Sequence, residues 1–333
     1  MQDSATADHA LLLLSRVGEL PSPAPGSPSF ASGAPARPFE TLASRHHERM
    51  PDVVFDLRRC GGLATRTQLR AMGQSARGIR AAIESDQVLR YGKSWVALPD
   101  ADREATRAVA ARGILGGESA LRSYRIWVSK HTGTCIVSPP TASRLPPVEP
   151  GGYRLWRSDP PATRTPWRVG VVDALAQHLP RLDDPRHAAA TLDSALNRRL
   201  LTANDLERLM QRMPRRIRRL RQRLDARAES GLETLLRLAI RDEGWIVESQ
   251  VEIRGVGRVD LVIDGRLVIE ADGSGWHDHH EAIERDRERN SALVLRGYRW
   301  HRFGYAQVMG DLAGCIAVIS ALLAGGAPVR AAV

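Results

Sequence analysis

The spacing of apolar residues changes along the chain, and these changes divide it into segments. Residues 1–49 show no sustained apolar period and are rich in Ser, Pro, Ala and Gly, which predicts disorder, with Met50 as an alternative start. Apolar residues recur at helical or strand spacing in four later segments, residues 50–100, 101–211, 212–229 and 230–325. The pattern therefore predicts four ordered segments after an unstructured start.

Residues 50–100 contain three short helical patterns and then two β segments. The first pattern, VVFDLRRC, ends at Gly61-Gly62, and Thr65 and Ser75 stand where the N-caps of the next two helices are expected. The segment VLRYGKSWVALP has the pattern of two strands joined at Gly92-Lys93. Three helices followed by a hairpin are typical of a winged helix-turn-helix, in which the third helix enters the major groove of DNA.

Residues 101–211 mix helical and strand-like patterns and predict an α/β connector. Helical patterns cover ATRAVAARGIL and SALRSYRIW, strand patterns cover TCIVSPP and GYRLWRS, and three further helical stretches follow. The next segment, PRRIRRLRQRLDAR, predicts a basic linker helix within residues 212–229. Its arginine face has two interpretations, a solvated surface or a surface that tracks phosphates.

Residues 230–325 predict alternating helices and strands. LETLLRLAIRDEG has the spacing of an amphipathic helix, with Glu233 near its first turn. Three strand patterns follow, WIVESQVEI, GRVDLVID and RLVIEAD, and the Asp264-Gly265 turn joins the last two as an antiparallel hairpin. A charged helical segment and the strand-like YRWHRF complete an α/β arrangement.

Three carboxylates are concentrated on the predicted hairpin. Asp260 lies on its first strand, and Glu270 and Asp272 project from one face of its second strand because strand side chains alternate. A strict two-residue turn would point Asp260 away from Glu270, so we expect a longer turn or a one-residue bulge. Converging carboxylates repel each other unless a cation lies between them, which favours Mg²⁺ (or Mn²⁺) and phosphodiester hydrolysis. The alternative is a solvent-facing acidic strip.

Charge favours a polyanionic partner. The chain has 48 Lys and Arg against 38 Asp and Glu, a net charge of +10, and the excess is almost all arginine. DNA or another nucleic acid suits this balance, although a GC-rich genome would produce the same enrichment. The three cysteines form no Cys-x-x-Cys pair, and no apolar run is long enough to span a membrane, so we expect a cytoplasmic protein. No feature indicates an oligomeric state.

The C-terminal segment also resembles a known family. DLVIDGRLVIEADGSGWH, followed by ERDRERNSALVLRGYRWHRF, resembles the very-short-patch-repair (Vsr) endonuclease-like branch of the PD-(D/E)XK nucleases. This resemblance implies a restriction-endonuclease-like core sheet flanked by helices. It also implies a metal site of Glu233, Asp260 and Glu270, with Asp272 and His277 also catalytic. Asp272 stands where the broader superfamily has a lysine. Vsr-like members also lack that lysine, and the resemblance implies that histidine takes its place.

The residues after the hairpin have several interpretations. His277 begins an HDHH run that fits a general base or phosphate contact, solvated loop histidines, or zinc chelation. Arg285 and Arg289 share one face of the following helix. Three roles fit these arginines: contact with DNA phosphates, bracing of the acidic strands, or pairing with glutamates of their own helix.

The N-terminal segment resembles another family. RRCGGLATRTQLRAMGQSARGIRAAIESDQVLRYGKSWVALPD resembles the winged-helix domain of AbiEi-family type IV antitoxins. The resemblance implies that Gln74, Ser75, Arg77 and Arg80 front the recognition helix, that Lys93 lies on the wing, and that a cognate toxin is a partner. The alternative is a helical domain used only for protein contact.

Two functions from different classes follow from these patterns. The first is a DNA-binding protein with a Mg²⁺-dependent endonuclease domain. The second is a transcriptional regulator or antitoxin in which the nuclease fold is degenerate. The joint presence of Glu233, Asp260, Glu270 and His277 favours the first, and Asp272 in the place of the lysine favours the second.

Overall fold

The computed structural model describes residues 52–131, 133–139, 145–157, 165–273 and 280–325, except for the side chains of residues 280–285. These residues belong to one structural unit, Arg49–Val333. The described residues contain thirteen α-helices, and their strands form three sheets. This architecture confirms the predicted α/β class. The predicted disordered segment lies outside the described residues.

The N-terminal helices and strands follow the predicted order. They are α1 (Val53–Arg59), β1 (Leu63–Thr65), α2 (Arg66–Ala71), α3 (Ala76–Glu84), β2 (Leu89–Tyr91) and β3 (Trp95–Ala97). Thr65 and Ser75 cap α2 and α3, because their hydroxyls accept hydrogen bonds from the backbone N–H groups of Gln68 and Gly78. The strands form an antiparallel sheet in the order β1-β3-β2, so β1 is an addition to the predicted hairpin.

The middle of the chain combines a small sheet with several helices. Its elements are α4 (Arg103–Ala110), β4 (Ile114–Leu115), α5 (Gly117–Ser123), β5 (Cys135–Ser138), β6 (Tyr153–Trp156), α6 (Val171–His178), α7 (Pro185–Asn197) and α8 (Ala203–Gln211). The helix predicted for ATRAVAARGIL is wrong at its end, because Ile114 and Leu115 pair with β5. Gly113 permits this close approach, since a Cβ there would lie 2.3 Å from Ile136 Cγ2.

The predicted basic linker helix is much shorter than expected. Only α9 (Arg215–Arg218) is α-helical, and a 3₁₀ helix covers Arg219–Arg223. Ile217 of the α-helix and Leu220 of the 3₁₀ helix are both buried and anchor the segment to the core. The Arg216 guanidinium donates to backbone carbonyls that precede α7. The segment is therefore fastened to the molecule through Arg216, while Arg215, Arg218 and Arg219 are exposed.

The C-terminal segment forms a four-stranded mixed sheet flanked by helices, as predicted. Its elements are α10 (Gly231–Asp242), β7 (Val247–Ile253), β8 (Gly257–Ile263), β9 (Leu267–Asp272), α11 (His280–Leu295), β10 (Arg299–Gly304), α12 (Tyr305–Gly310) and α13 (Leu312–Leu323). The strand order is β10-β9-β8-β7, with β7, β8 and β9 antiparallel and β10 parallel to β9. Helix α11 provides the crossover that the parallel pair requires.

Apolar side chains cover both faces of this sheet. On one face, Leu261, Ile269 and Phe303 belong to the core that includes α10, α12 and α13. On the other face, Val262 and Val268 pack in a cluster with Leu293 of α11. Because a slip of one residue would exchange the two faces of a strand, this burial fixes the register of the hairpin.

Helix α10 is buried along most of its length, which corrects the prediction of an amphipathic helix. Every residue from Gly231 to Ile240 is buried. Leu232, Leu235 and Leu236 belong to the core against the sheet. Arg237 forms an ion pair with Asp193 of α7 at 2.7 Å, with both side chains almost fully buried. The Thr234 hydroxyl donates to the same carboxylate at 2.9 Å. Charged and hydroxyl side chains thus join α10 to α7 inside the molecule.

None of the helices in the described part of the chain combines the length and the apolar character that crossing a bilayer requires.

Candidate active site

The turn between β8 and β9 determines where the first acid points. Asp264 and Gly265 both have positive φ, 48° and 66°, and the Arg266 N–H donates to the Ile263 carbonyl at 3.1 Å. Ile263 then pairs with Leu267, so Arg266 is an extra residue in the connection. This is the longer turn that the positions of the acids predict.

Asp260 lies opposite Glu270 on the same side of the hairpin. The register pairs Leu261 with Ile269, and its continuation by one residue places Asp260 across from Glu270. Asp260 Oδ2 accepts a hydrogen bond from the Ala271 N–H at 2.9 Å, which holds the carboxylate beside β9. The hairpin therefore brings two of the predicted acids together.

Glu233 joins these acids from the first turn of α10. The Ser230 hydroxyl caps its N–H at 3.2 Å, and Glu233 Oε2 accepts from the Glu229 N–H at 3.0 Å. The Gln250 amide nitrogen donates to Glu233 Oε2 at 2.8 Å and to Asp260 Oδ1 at 3.2 Å. Gln250 has a φ of 55°, a strained value for a residue with a side chain. Gln250 is not predicted from the sequence, because nothing distinguishes it within an ordinary strand pattern.

Two arginines place positive charge beside the acids. Arg289 of α11 donates to Glu270 Oε1 at 2.8 Å and to a backbone carbonyl of β8. Arg302 of β10 donates to Asp286 Oδ2 at 2.6 Å, and its Nε lies 3.5 Å from Asp272 Oδ2. Among the three roles open to Arg289, this contact corresponds to bracing the acidic strands.

Burial and mutual repulsion raise the pKa values of the clustered acids. The pKa of Glu270 is raised to about 7, first by burial and then by the charge of Asp260, against the opposing effect of Arg289 and Arg302. Burial, and again the charge of Asp260, raises the pKa of Glu233, which is 4% exposed. The two arginines therefore leave the negative charge only partly compensated, and an additional cation would be favoured here.

Asp272 lies at the rim of the cluster. Burial raises the pKa of Asp272 and the charge of Arg302 opposes this effect. In the parallel register Arg302 lies beside Glu270, and Gly304 lies beside Asp272. Asp272 is thus an acid at the rim with an arginine of the next strand beside it. Arg302 is not predicted from YRWHRF, because the pattern indicates a strand but not its neighbour.

The described acids do not form a finished metal site. Within the described ranges, no group of three or more His, Cys, Asp or Glu side chains is arranged to hold an ion. The Gln250 amide lies between Glu233 and Asp260, and Arg289 occupies one oxygen of Glu270. His277 and the side chain of Arg285 lie outside the described residues.

The residues predicted to contact DNA through α3 and the hairpin do not all reach the surface. Gln74 is 4% exposed and its amide donates to Asp56 of α1 at 2.7 Å, so it supports the core and does not front α3. This corrects the prediction for Gln74. Arg77 and Arg80 are exposed on α3, and Lys93 is exposed in the turn between β2 and β3.

The four-stranded sheet, its flanking helices and the acids on α10, β8 and β9 define a restriction-endonuclease-like domain. Residues 233–323 match the model of REase_MTES_1575, a restriction endonuclease-like family. The match begins at Glu233 and extends into α13, so it includes all the acids of the cluster. No curated protein matches the chain significantly.

Proposed function

We propose that the chain is a DNA-binding protein whose C-terminal domain is a metal-dependent endodeoxyribonuclease. The observation that carries this proposal is the convergence of Glu233, Asp260 and Glu270 inside a restriction-endonuclease-like domain. Phosphodiester hydrolysis requires positive charge at the phosphate and an activated water. The buried acidic cluster, whose negative charge Arg289 and Arg302 compensate only in part, is suited to bind a cation that supplies this positive charge.

The oxygen donors fit Mg²⁺ or Mn²⁺. Glu233, Asp260 and Glu270 would hold the ion, because hard divalent cations take oxygen ligands. Gln250 offers a further oxygen, since its Oε1 is buried and lacks a hydrogen-bond partner among the described residues. When bound, the ion would polarise the phosphodiester and favour ionisation of the attacking water.

The chain's own side chains would position the reacting groups. The Ala271 N–H orients Asp260, and Arg289 orients Glu270. Arg302, beside Asp272, would supply the positive charge that the lysine supplies in the broader superfamily. His277 is proposed as the general base that accepts a proton from the attacking water at a ring nitrogen.

DNA binding is assigned to the N-terminal elements and to the basic character of the whole chain. Duplex DNA is proposed to bind in a winged-helix manner to four residues, Ser75, Arg77, Arg80 and Lys93. Arg285 is proposed to contact the DNA near the acids. The net charge of +10 supports a polyanionic substrate. A cytoplasmic location is part of the proposal, and the three buried cysteines are all free thiols.

The nuclease proposal is tested by cleavage of supercoiled and mismatched DNA with Mg²⁺ or Mn²⁺. We expect Asp260→Asn to reduce the cleavage rate at least about 100-fold, because it weakens both the ion site and the bond to Ala271. Glu252→Gln, at an exposed acid on β7 of the same sheet, is the matched control and should cleave normally. Absence of cleavage by the wild type, or equal cleavage by Asp260→Asn, would overturn the proposal.

The second candidate is a transcriptional regulator or antitoxin with a degenerate nuclease fold and a cognate toxin as partner. The observation that favours it is Asp272 in the place of the lysine, combined with the order of helices and strands before residue 100. Under this function, wild type and Asp260→Asn would bind duplex DNA equally and neither would cleave it. Gel-shift and cleavage assays on the same samples therefore separate the two functions.

A further inference from the structure

An open groove of about 700 Å³ lies between the β2–β3 hairpin and the small middle sheet. Tyr91 and Trp95 line it from the hairpin, and both are half-buried. Val109, Ile114 and Val137 line the other side. This size is typical of ligand sites, and the proposed nuclease reaction does not use the groove.

The rim of the groove is positively charged. Lys93, Arg112 and Arg157 line it, and none of the described lining residues is acidic. Arg157 forms an ion pair with Asp173 at 2.7 Å. Lys93 and Arg112 are exposed, and neither side chain forms a hydrogen bond or ion pair with another residue in the described ranges. Two cations are thus available to an anionic ligand.

We propose that this groove binds a short stretch of single-stranded DNA, with unpaired bases against Tyr91 and Trp95 and phosphates at Lys93 and Arg112. Aromatic side chains stack on bases of any sequence, and flanking cations follow the backbone. In a duplex the base faces are covered by neighbouring pairs, so this contact selects unpaired nucleotides. The groove would be a second DNA site, separate from the acidic cluster.

The test measures anisotropy of a fluorescein-labelled oligothymidylate of about twelve nucleotides, within the usual site size. The full chain is used in EDTA so that no cleavage occurs. We expect the double variant Lys93→Ala, Arg112→Ala to bind at least about tenfold more weakly, with the salt slope reduced by about 1.4, or about 0.7 for each phosphate contact. Trp95→Leu should also weaken binding, whereas Trp95→Phe should retain most of it.

Arg125 provides a matched control for Arg112. Each arginine is exposed, follows the C-cap of a helix and has a left-handed φ, 58° for Arg112 and 61° for Arg125. Arg125 does not line the groove. Arg125→Ala should therefore bind the oligonucleotide as the wild type does. Thermal melting of every variant separates loss of the groove from loss of the fold.

Three competitors identify the chemistry of the ligand. Unlabelled oligothymidylate should displace the probe. Polyglutamate should displace it only weakly because it has no bases, and thymidine monophosphate because it has no chain of linked phosphates. Equal competition by polyglutamate or the mononucleotide would overturn the proposal. It would also fail if the double variant bound like Arg125→Ala, or if Arg112→Ala alone lost as much affinity for duplex as for single-stranded DNA. Lys93 is left out of the duplex comparison because it is also proposed to contact duplex DNA. Neither result depends on cleavage, so failure here leaves the nuclease proposal intact.

Discussion

Glu270 makes the stability of the metal-free protein depend on pH. Its pKa is raised from 4.5 to about 7 by burial and by Asp260. Between these values the folded protein holds a proton that the unfolded chain has released, so the stabilisation is full below about pH 4.5 and is lost as pH rises through about 7. We expect this group to contribute a loss of about 2 to 3 kcal/mol in the free energy of unfolding between pH 5 and 8.

Urea unfolding in EDTA at pH 5 and 8 measures this loss. Glu270→Gln cannot ionise, so the change in the free energy of unfolding should be smaller in this variant than in the wild type. Glu252→Gln removes an exposed acid from the same sheet and should keep the wild-type pH dependence. An unchanged pH dependence in Glu270→Gln would show that its carboxyl titrates normally in the folded protein.

The hairpin of β8 and β9 shows how far local patterns can predict this site. The alternation of apolar and polar residues, together with the Asp264-Gly265 turn, predicts both strands. The need to bring Asp260 beside Glu270 predicts the longer turn that the structure contains. These features depend on residues close in sequence. Arg302 depends on a parallel pairing across a crossover helix, which no local pattern specifies.

Helix α10 and the arginine-rich segment before it show where periodicity fails. Polar residues on α10 predict a solvent-facing side, but Thr234 and Arg237 are buried against α7. Arg216 stays exposed, yet its guanidinium binds carbonyls that precede α7. In both cases partners distant in sequence decide where a polar side chain is held. A single sequence does not identify those partners.

Helix α3 separates the structural role of Ser75 from its proposed contact with DNA. The Ser75 hydroxyl accepts from the Gly78 N–H at 2.9 Å, so Ser75→Ala should lower the free energy of unfolding by about 1 kcal/mol. Ser75→Asp keeps an N-cap acceptor but places negative charge against phosphate. We expect it to retain stability and to weaken duplex binding several-fold, as measured by anisotropy and urea unfolding.

Thr202 provides the matched control for Ser75. It caps α8 through the Asp205 N–H at 3.1 Å, and α8 is not among the elements proposed to contact DNA. Thr202→Ala should therefore lose a similar stability without a change in duplex affinity. If Ser75→Asp bound duplex DNA as well as the wild type, α3 would not be the helix that contacts it.

Helix α10 connects the acidic cluster to the middle of the molecule. Glu233 in its first turn faces Gln250 and Asp260, and Arg237 one turn later meets Asp193 of α7. The Asp193 carboxylate also accepts from the Asp225 N–H at 2.8 Å. Residues from α7, from the segment before α10 and from α10 itself therefore form one buried polar network. The helix that carries Glu233 is held in place by residues outside the restriction-endonuclease-like domain.

Arg237→Met should be the most damaging change in this network, because it leaves the buried Asp193 carboxylate without a compensating positive charge. We expect a loss of about 3 to 5 kcal/mol in the free energy of unfolding, measured in urea. Adding Asp193→Asn removes the charge but keeps an acceptor for Asp225, so the double variant should recover part of that loss. Arg208→Ala breaks an exposed pair with Asp205 and should cost less than about 1 kcal/mol. Similar losses in Arg237→Met and Arg208→Ala, or no recovery in the double variant, would show that charge pairing does not join these helices.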